Sequence, residues 1–372
     1  MNILITGADG FLGKNLCIYL SNKKKINIYK FNKKNSYNDL REYIFKSSII
    51  FHLAGENRNK NNFKFIQNNV NLTKKIIEII NQKKTKTSLI YASTNQIKKK
   101  KNIYTKSKLM AENFLKKNSN KMLLIKVYRF TNIFGKWAKP NHNSVVATFC
   151  HNISRRKKIK LSKINEDLEF IFVDKVMELF QNDVKVKLKK KFQIVDKFKH
   201  LHKIKLFDLA DKIKSFHAFR ENLLNKKPIA KGFDKLLYST FLSYVPISQY
   251  KYKIKPIKDF RGSFFEFLKS KNNGQISVLT VKPNQTRGNH YHMTKVEKFL
   301  VLSGQGEFIF QNIINNSKKK IKVNSREHSI VETIPGWAHN IKNTGINDLI
   351  IILWSNEIFN NLKPDTVYYK IN

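Results

Sequence analysis

Cysteine is nearly missing from this chain of 372 residues, which holds only Cys17 and Cys150. They lie far apart in apolar stretches and read as buried thiols, so a disulfide framework and a thiolate metal cluster are both excluded. Long apolar runs are missing as well: none reaches the roughly eighteen residues of a membrane span. The opening N-I-L-I-T-G runs straight into a strand with no basic, cleavable leader ahead of it. A soluble, cytoplasmic protein is expected. Acidic residues are scarce, 26 against 72 Lys and Arg, which leaves a formal charge of +46. Such an excess ordinarily points to nucleic acid. Arginine is scarce too, however, at nine of the 72, and Lys is scattered among Asn, Ile and Phe as in an AT-rich coding sequence. No nucleic acid and no membrane is therefore expected as a partner, although a small anionic substrate would be drawn by this field.

The length exceeds one ordinary core, and an apolar content of 41% suffices to fold two or three domains. At the start a short apolar strand runs into Gly7, Gly10 and Gly13, then into a helical stretch from Lys14 to Leu20. Glycines placed so let the backbone approach a pyrophosphate, which rests on the amides of the helix N-terminus. The next strand, Ile26 to Phe31, ends in Asn32, Lys33 and Lys34 with no acid. An acid there would hold a ribose 2′-hydroxyl and a cation a 2′-phosphate, so NADPH is favoured as cofactor. The run I-I-F-H-L-A-G from Ile49 to Gly55 is typical of a buried parallel strand, with His52 a satisfied core residue and not a ligand. A further strand ends at Ser93 and Thr94, and Tyr104 and Lys108 follow at the head of a helix. Four apart, those two share a helix face, and the ammonium is expected to lower the phenol's pKa. A hydroxyl from Thr94, or from Ser93, can hydrogen-bond the substrate oxygen. A proton donor beside a hydride donor is what carbonyl reduction requires.

Near residue 245, at Tyr244-Val-Pro, helical patterning gives way to short alternating strands. The expected domains are 1–245 and 246–372. The second contains R-G-N-H-Y-H-M-T-K-V-E-K-F-L-V-L-S-G, Arg287 to Gly304. The two-residue period of a strand puts His290 and His292 on one face, Glu297 returns on the next strand, and His339 follows in P-G-W-A-H-N. Three imidazoles and a carboxylate suit Zn2+ or another divalent first-row metal with an open catalytic position.

The T-G-x-x-G-x-x-G opening, the strand end at Thr94 and the Y-x-x-x-K pair together resemble the extended short-chain dehydrogenase/reductases. That resemblance implies an α/β Rossmann-type doubly wound parallel sheet, with Thr94, Tyr104 and Lys108 catalytic. It places Gly7, Gly10, Phe11, Leu12, Gly13, Asn32, Lys33, Lys34, Leu53, Ala54 and Gly55, together with Tyr104 and Lys108, around the cofactor. Arg129, Asn132 and Gly135, an R-x-x-N-x-x-G pattern, resemble the family's entry into a substrate lobe, where Asn143 and Ser144 would also meet substrate. The spacing of His290, His292, Glu297, Gly304 and His339 resembles the two boxes of the cupin family, all-β jelly-roll barrels with a metal in the mouth. The second box departs from the pattern at Ile334-Pro335-Gly336 and at His328. Asp259 to Glu266, D-x-R-G-x-F-x-E, resembles the sugar-nucleotide 3,5-epimerases of that superfamily, which implies Arg261 on a phosphate and Glu266 near the sugar. His292 stands where those enzymes carry Gln, so His290 is open as ligand or base, and Lys298, Tyr291 and Glu266 are open as base.

The pairing resembles the bifunctional capsular polysaccharide enzymes of the UDP-N-acetyl-L-fucosamine pathway, the CapF/WbjC type. This implies a UDP-activated keto-deoxy amino sugar as substrate and a homodimer. It further implies C3 epimerisation of UDP-2-acetamido-2,6-dideoxy-4-hexulose in the second domain, then NADPH-dependent C4 reduction to UDP-N-acetyl-6-deoxy-L-talosamine in the first. The alternative is a single-activity 4-keto-sugar-nucleotide reductase with a structural cupin.

Overall fold

The computed structural model describes residues 1–371 apart from 22, 24, 100, 187, 226–228 and 230. Two compact units emerge, Met1–Ile213 with Lys231–Pro246, and Lys214–Ala230 with Ile247–Asn372. The segment from Lys214 thus groups with the second unit, where a single cut near 245 would leave it in the first. The physical reason is strand pairing: Leu224–Asn225 runs parallel to Gly262–Ser270, and Lys269 N donates to Leu223 O at 2.9 Å.

The first unit is built on β1 (Asn2–Thr6), β2 (Asn27–Phe31), β3 (Ile49–His52), β4 (Thr87–Thr94) and β5 (Leu123–Phe130). They form a parallel sheet in the order β2-β1-β3-β4-β5, completed by Phe192–Val195. Strand alternation sends Ile3, Ile5, Phe51, Ile90, Tyr128 and Phe130 to one face, against Leu16 of the helix α1 (Phe11–Ser21) and Phe180. Leu4, Ile50, Leu89, Tyr91, Ile125 and Val127 go to the other, against Ile76, Ile80 and Leu115. Both faces are dry, which is why these strands read as unbroken apolar runs. The chain leaves β1 toward one edge and returns at β3 toward the other. That reversal opens a crevice at the carboxyl ends of β1 and β3, the usual ligand position in an open α/β sheet.

Among its described residues the second unit is built of β-strands apart from the helical residues from Lys214 and a short 3-10 turn at Ile247–Gln249. One sheet contains Ile257–Asp259, Gly262–Ser270, Gly274–Val281, Leu349–Ser355, Glu297–Ser303 and Ile330–Glu332. The other orders Lys318–Asn324, Gln305–Asn312, Trp337–Asn343, Thr286–Tyr291 and Val367–Tyr368. Leu279, Val281, Phe299 and Ile351 from the first meet Phe308, Phe310, Val323 and Ile341 from the second in one core. Among the described residues, no helix is long and apolar enough to cross a membrane.

Candidate active sites

At the crevice of the first unit the chain turns at Gly7, whose φ is +68°. A Cβ there would lie 2.7 Å from the Ala54 N and Cα, so both the backbone angle and the space require glycine. On Gly13, in the first turn of α1, a Cβ would lie 2.1 Å from the Gly7 carbonyl oxygen. At both positions a side chain would strike the protein's own backbone, so the turn closes tightly and leads into a helix N-terminus. This fits a dinucleotide pyrophosphate. Gly7 N and Ala8 N donate to Phe31 O at 2.9 and 3.3 Å, which brings Asn32, Lys33 and Lys34 beside the loop. Asn32 Oδ1 accepts from Lys34 N in a tight turn, and both lysine side chains are exposed. Phe11, Leu12 and Leu53 are partly buried and pack against the core of this unit.

Beneath this turn His52 links three elements. Thr73 Oγ1 donates to Asn69 O, so it must accept from His52 Nε2 at 2.9 Å, which leaves Nδ1 to accept from Thr6 Oγ1 at 2.8 Å. Thr6 Oγ1 in turn accepts from Ala54 N at 3.2 Å. Every donor has a partner, and burial followed by the nearby Lys108 pushes the imidazole down to about 3. His52 is neutral and structural.

Tyr104 and Lys108 sit on the first turns of the helix Ile103–Asn118, capped by Asn102, whose Oδ1 accepts from Thr105 N. The expected lowering of the phenol is reversed here. Burial pushes Tyr104 up to about 12, outweighing a hydrogen bond from Thr94 that acts the other way, and Lys108 is itself desolvated and brought down to about 8. The Lys108 ammonium donates to the Ala92 carbonyl at 2.9 Å and lies 4.6 Å above the Tyr91 ring. Of the two candidate hydroxyls, Thr94 is the one at the phenol. Ser93 points the other way and donates to Glu112 at 2.5 Å.

Sequence reasoning missed two residues that organise this site. Glu112, one turn after Lys108 and 2% exposed, takes Ser93 together with the Arg129 fork at 3.0 and 2.6 Å. Arg129 is therefore engaged inside the protein, behind the end of β4. Asn69, in a π-helical turn at Gln67–Asn71, donates to Glu56 O and Ser107 Oγ and accepts from Glu56 N. It fastens the loop after β3 to the helix that carries Tyr104. Such turns are frequent at functional sites, but helical periodicity hides them in a sequence. Of the other substrate-lobe candidates, Asn132 donates to Glu169 O, Ser144 caps Val145–Ile153, and Asn143 presents an exposed side chain.

In the second unit His290, His292, Glu297 and His339 bring their ligand atoms within 4.8 Å of one another. The cluster spans two sheets, since Glu297 opens a strand of one and His290 and His339 are cross-strand partners in the other. His292 Nδ1 lies 2.5 Å from the carbonyl of Asp365, which can only accept, so the proton is on Nδ1. Its bare Nε2 then faces Glu297 Oε2 at 3.3 Å, and His339 Nε2 faces the same oxygen at 3.4 Å. His292 Nε2 and both ring nitrogens of His339 are buried without a hydrogen bond. A bare imidazole nitrogen facing a carboxylate oxygen is costly unless a cation lies between them. Burial, then His339, pushes His290 down to about 3, so it is a neutral donor. The set fits a divalent metal with nitrogen and oxygen ligands.

The remaining candidates lie elsewhere. Lys298 is on the outer face, paired with Glu332 at 2.8 Å; Tyr291 faces away from its histidine neighbours toward Tyr369; Glu266 pairs with Lys269 at 2.7 Å. Arg261 and Arg287 share Asp259, each at 2.7 Å. The ammonium that reaches the cluster is that of Lys295, 7% exposed and 2.6 Å from Glu297 Oε1. No pattern sets it apart from the chain's other lysines.

Residues 3–181 match the NAD dependent epimerase/dehydratase family and residues 257–367 the polysaccharide biosynthesis C-terminal domain. A Pseudomonas aeruginosa protein named UDP-2-acetamido-2,6-beta-L-arabino-hexul-4-ose reductase is 36% identical over 98% of both chains. The capsular polysaccharide assembling protein CapF from Staphylococcus aureus superposes with a TM-score of 0.89 at 34% identity over the whole of both chains. A UDP-glucuronic acid 4-epimerase from Bacillus cereus, at 15% identity and a TM-score of 0.53 over 59% of this chain and 83% of its own, shares the fold alone. Resemblance along the full length of both chains, through both family domains, makes this chain a member of the CapF-type family of capsular polysaccharide assembling proteins.

Proposed function

We propose that the chain is a bifunctional UDP-sugar enzyme. The second unit epimerises C3 of UDP-2-acetamido-2,6-dideoxy-4-hexulose, and the first reduces the C4 ketone with NADPH to UDP-N-acetyl-6-deoxy-L-talosamine. The observation that carries the reading is the half-buried Tyr104, kept protonated and held by Thr94, in the same unit as a tight turn that requires glycine at Gly7 and Gly13. It is supported by the reductase named among the relatives.

NADPH, when bound, supplies the hydride. Its pyrophosphate would rest on the Gly7–Gly13 loop, and Lys33 and Lys34 stand where a 2′-phosphate would be met. Thr94 orients the ketone oxygen by its hydroxyl. Tyr104, pushed up to about 12, is a phenol at neutral pH and gives its proton to the oxygen as C4 is reduced. Lys108, on the same face and charged below about 8, stabilises the phenolate left behind. A divalent metal, when bound, acts as a Lewis acid on the carbonyl next to C3 and so acidifies the C3 proton. His290, His292, Glu297 and His339 would hold it, with Lys295 neutralising the carboxylate oxygen that faces away from the histidines.

The test is incubation of metal-replete protein with the UDP-4-keto sugar in deuterated water, with and without NADPH, followed by NMR. Deuterium should enter C3 without NADPH, and C4 should be reduced only with it. Reduction without deuterium at C3 would leave a single-activity reductase.

A further inference from the structure

Asp365 lies just before the strand Val367–Tyr368, which pairs antiparallel with His290 and Tyr291 at the edge of the metal-ligand strand. Its carboxylate accepts four hydrogen bonds, from Met293 N at 2.8 Å, Thr294 N at 2.7 Å, Thr294 Oγ1 at 2.9 Å and Lys295 N at 2.8 Å. Three successive amides converging on one anion make a small nest. Those amides belong to the loop that carries the chain from His292, one residue past the strand Thr286–Tyr291 of one sheet, to Glu297 in the other. The main chain of the same residue does a second thing: its carbonyl takes the Nδ1 proton of His292 at 2.5 Å, with Thr366 Oγ1 3.5 Å from that nitrogen.

We propose that Asp365 is a positioning residue of the metal cluster, setting the reach from His292 to Glu297 and holding His292 in the tautomer that aims Nε2 at the metal. The inference rests on the reading of this cluster as a metal site. Its physical basis is that a ligating imidazole needs its second nitrogen tied down, and that two ligands joined by a loop between sheets keep their spacing only if that loop is pinned. A carboxylate provides the pin better than a neutral group because all four partners are donors. The ligand strands themselves do not need it, since His290 and His339 are fixed by their own cross-strand pairing.

The experiment compares the full chain with its Asp365→Ala variant, with thermal unfolding reporting that the variant is folded. Zinc affinity is measured by chelator competition, and the His292 tautomer by 15N NMR of the metal-free protein. The variant should bind zinc roughly 10–100-fold more weakly, and its His292 should become a mixture of tautomers where the parent holds the proton on Nδ1. A tail that merely braced the barrel would move the unfolding midpoint and leave both readouts unchanged. Parental zinc affinity together with a single Nδ1–H tautomer in the variant would overturn the proposal. A parent chain that takes up no divalent metal would overturn it along with the metal reading, whereas a parent that binds and a variant that matches it in both readouts would overturn it alone. Should Asp365→Ala not fold, Asp365→Asn, which keeps the size and turns an amide toward the same donors, is read by the same criteria.

Discussion

Lys108 shows how the proposed chemistry is set at the scale of one residue. Its ammonium is buried among the Ala92 carbonyl, the Tyr91 ring and the edge of Gly55, and burial brings it from 10.5 to about 8. A depression of that size corresponds to roughly 3 kcal/mol of penalty for holding the charge at neutral pH. Between about 8 and 10.5 the unfolded chain binds this proton and the folded chain does not, so stability rises with pH across that window. Lys108→Met should therefore leave the unfolding midpoint at pH 7 unchanged or higher. NADPH-dependent reduction should fall by about 100-fold or more, as loss of an acid–base partner does. A thermal melt beside an absorbance assay for NADPH checks both. A lowered midpoint with activity retained would mean that the ammonium is structural. Tyr104 and Lys108 were legible as a pair because a spacing of four is a statement about a helix face. The direction of the phenol's pKa was not, because it depends on how much water the fold leaves beside it.

The relay under the glycine turn acts at the scale of elements. Thr6 on β1, His52 on β3 and Thr73 on the helix Leu72–Asn81 are joined through a neutral imidazole. His52 is held at about 3 against 6.5 when unfolded, so its share of stability is whole above pH 6.5 and is lost as pH falls toward 3. Up to roughly 5 kcal/mol is at stake over that range. Urea unfolding followed from pH 7 to pH 4 should show the first unit weakening from about 6.5 downward, and His52→Asn should flatten that slope. An unaltered slope in the variant would assign the acid sensitivity elsewhere. The strand itself was plain in I-I-F-H-L-A-G, since a strand buried on both faces has no polar alternation to confuse it. The π-turn that places Asn69 was invisible, because its residues keep ordinary helical spacing.

At the scale of the whole molecule the two proposed activities rest on separate units with separate chemistry. Removing divalent metal with a chelator should suppress deuterium exchange at C3 at least about tenfold, since Lewis-acid polarisation is worth several kcal/mol. C4 reduction of already epimerised substrate should persist. Tyr104→Phe should show the reverse, with exchange retained and reduction lost. Coupled loss of both activities in either experiment would sink this division. The division of the chain was half visible: the switch from helical to alternating pattern near 245 marks where the strands begin. The allegiance of Lys214–Ala230 depends on the pairing of Leu224–Asn225 with a distant strand, which no local pattern announces.

The sequence by itself determined what local periodicity and fixed spacing can encode. That includes the glycine turn after the first strand, the helix face of Tyr104 and Lys108, the shared face of His290 and His292, and the donor chemistry of the cluster. Tertiary structure alone decided which groups meet across long separations. Glu112 occupies the Arg129 fork, Lys295 rather than Lys298 reaches Glu297, and Asp365 closes on a histidine 73 residues earlier. These choices follow from sheet pairing and burial, which select one partner among many chemically identical lysines and acids by where each side chain is left without water.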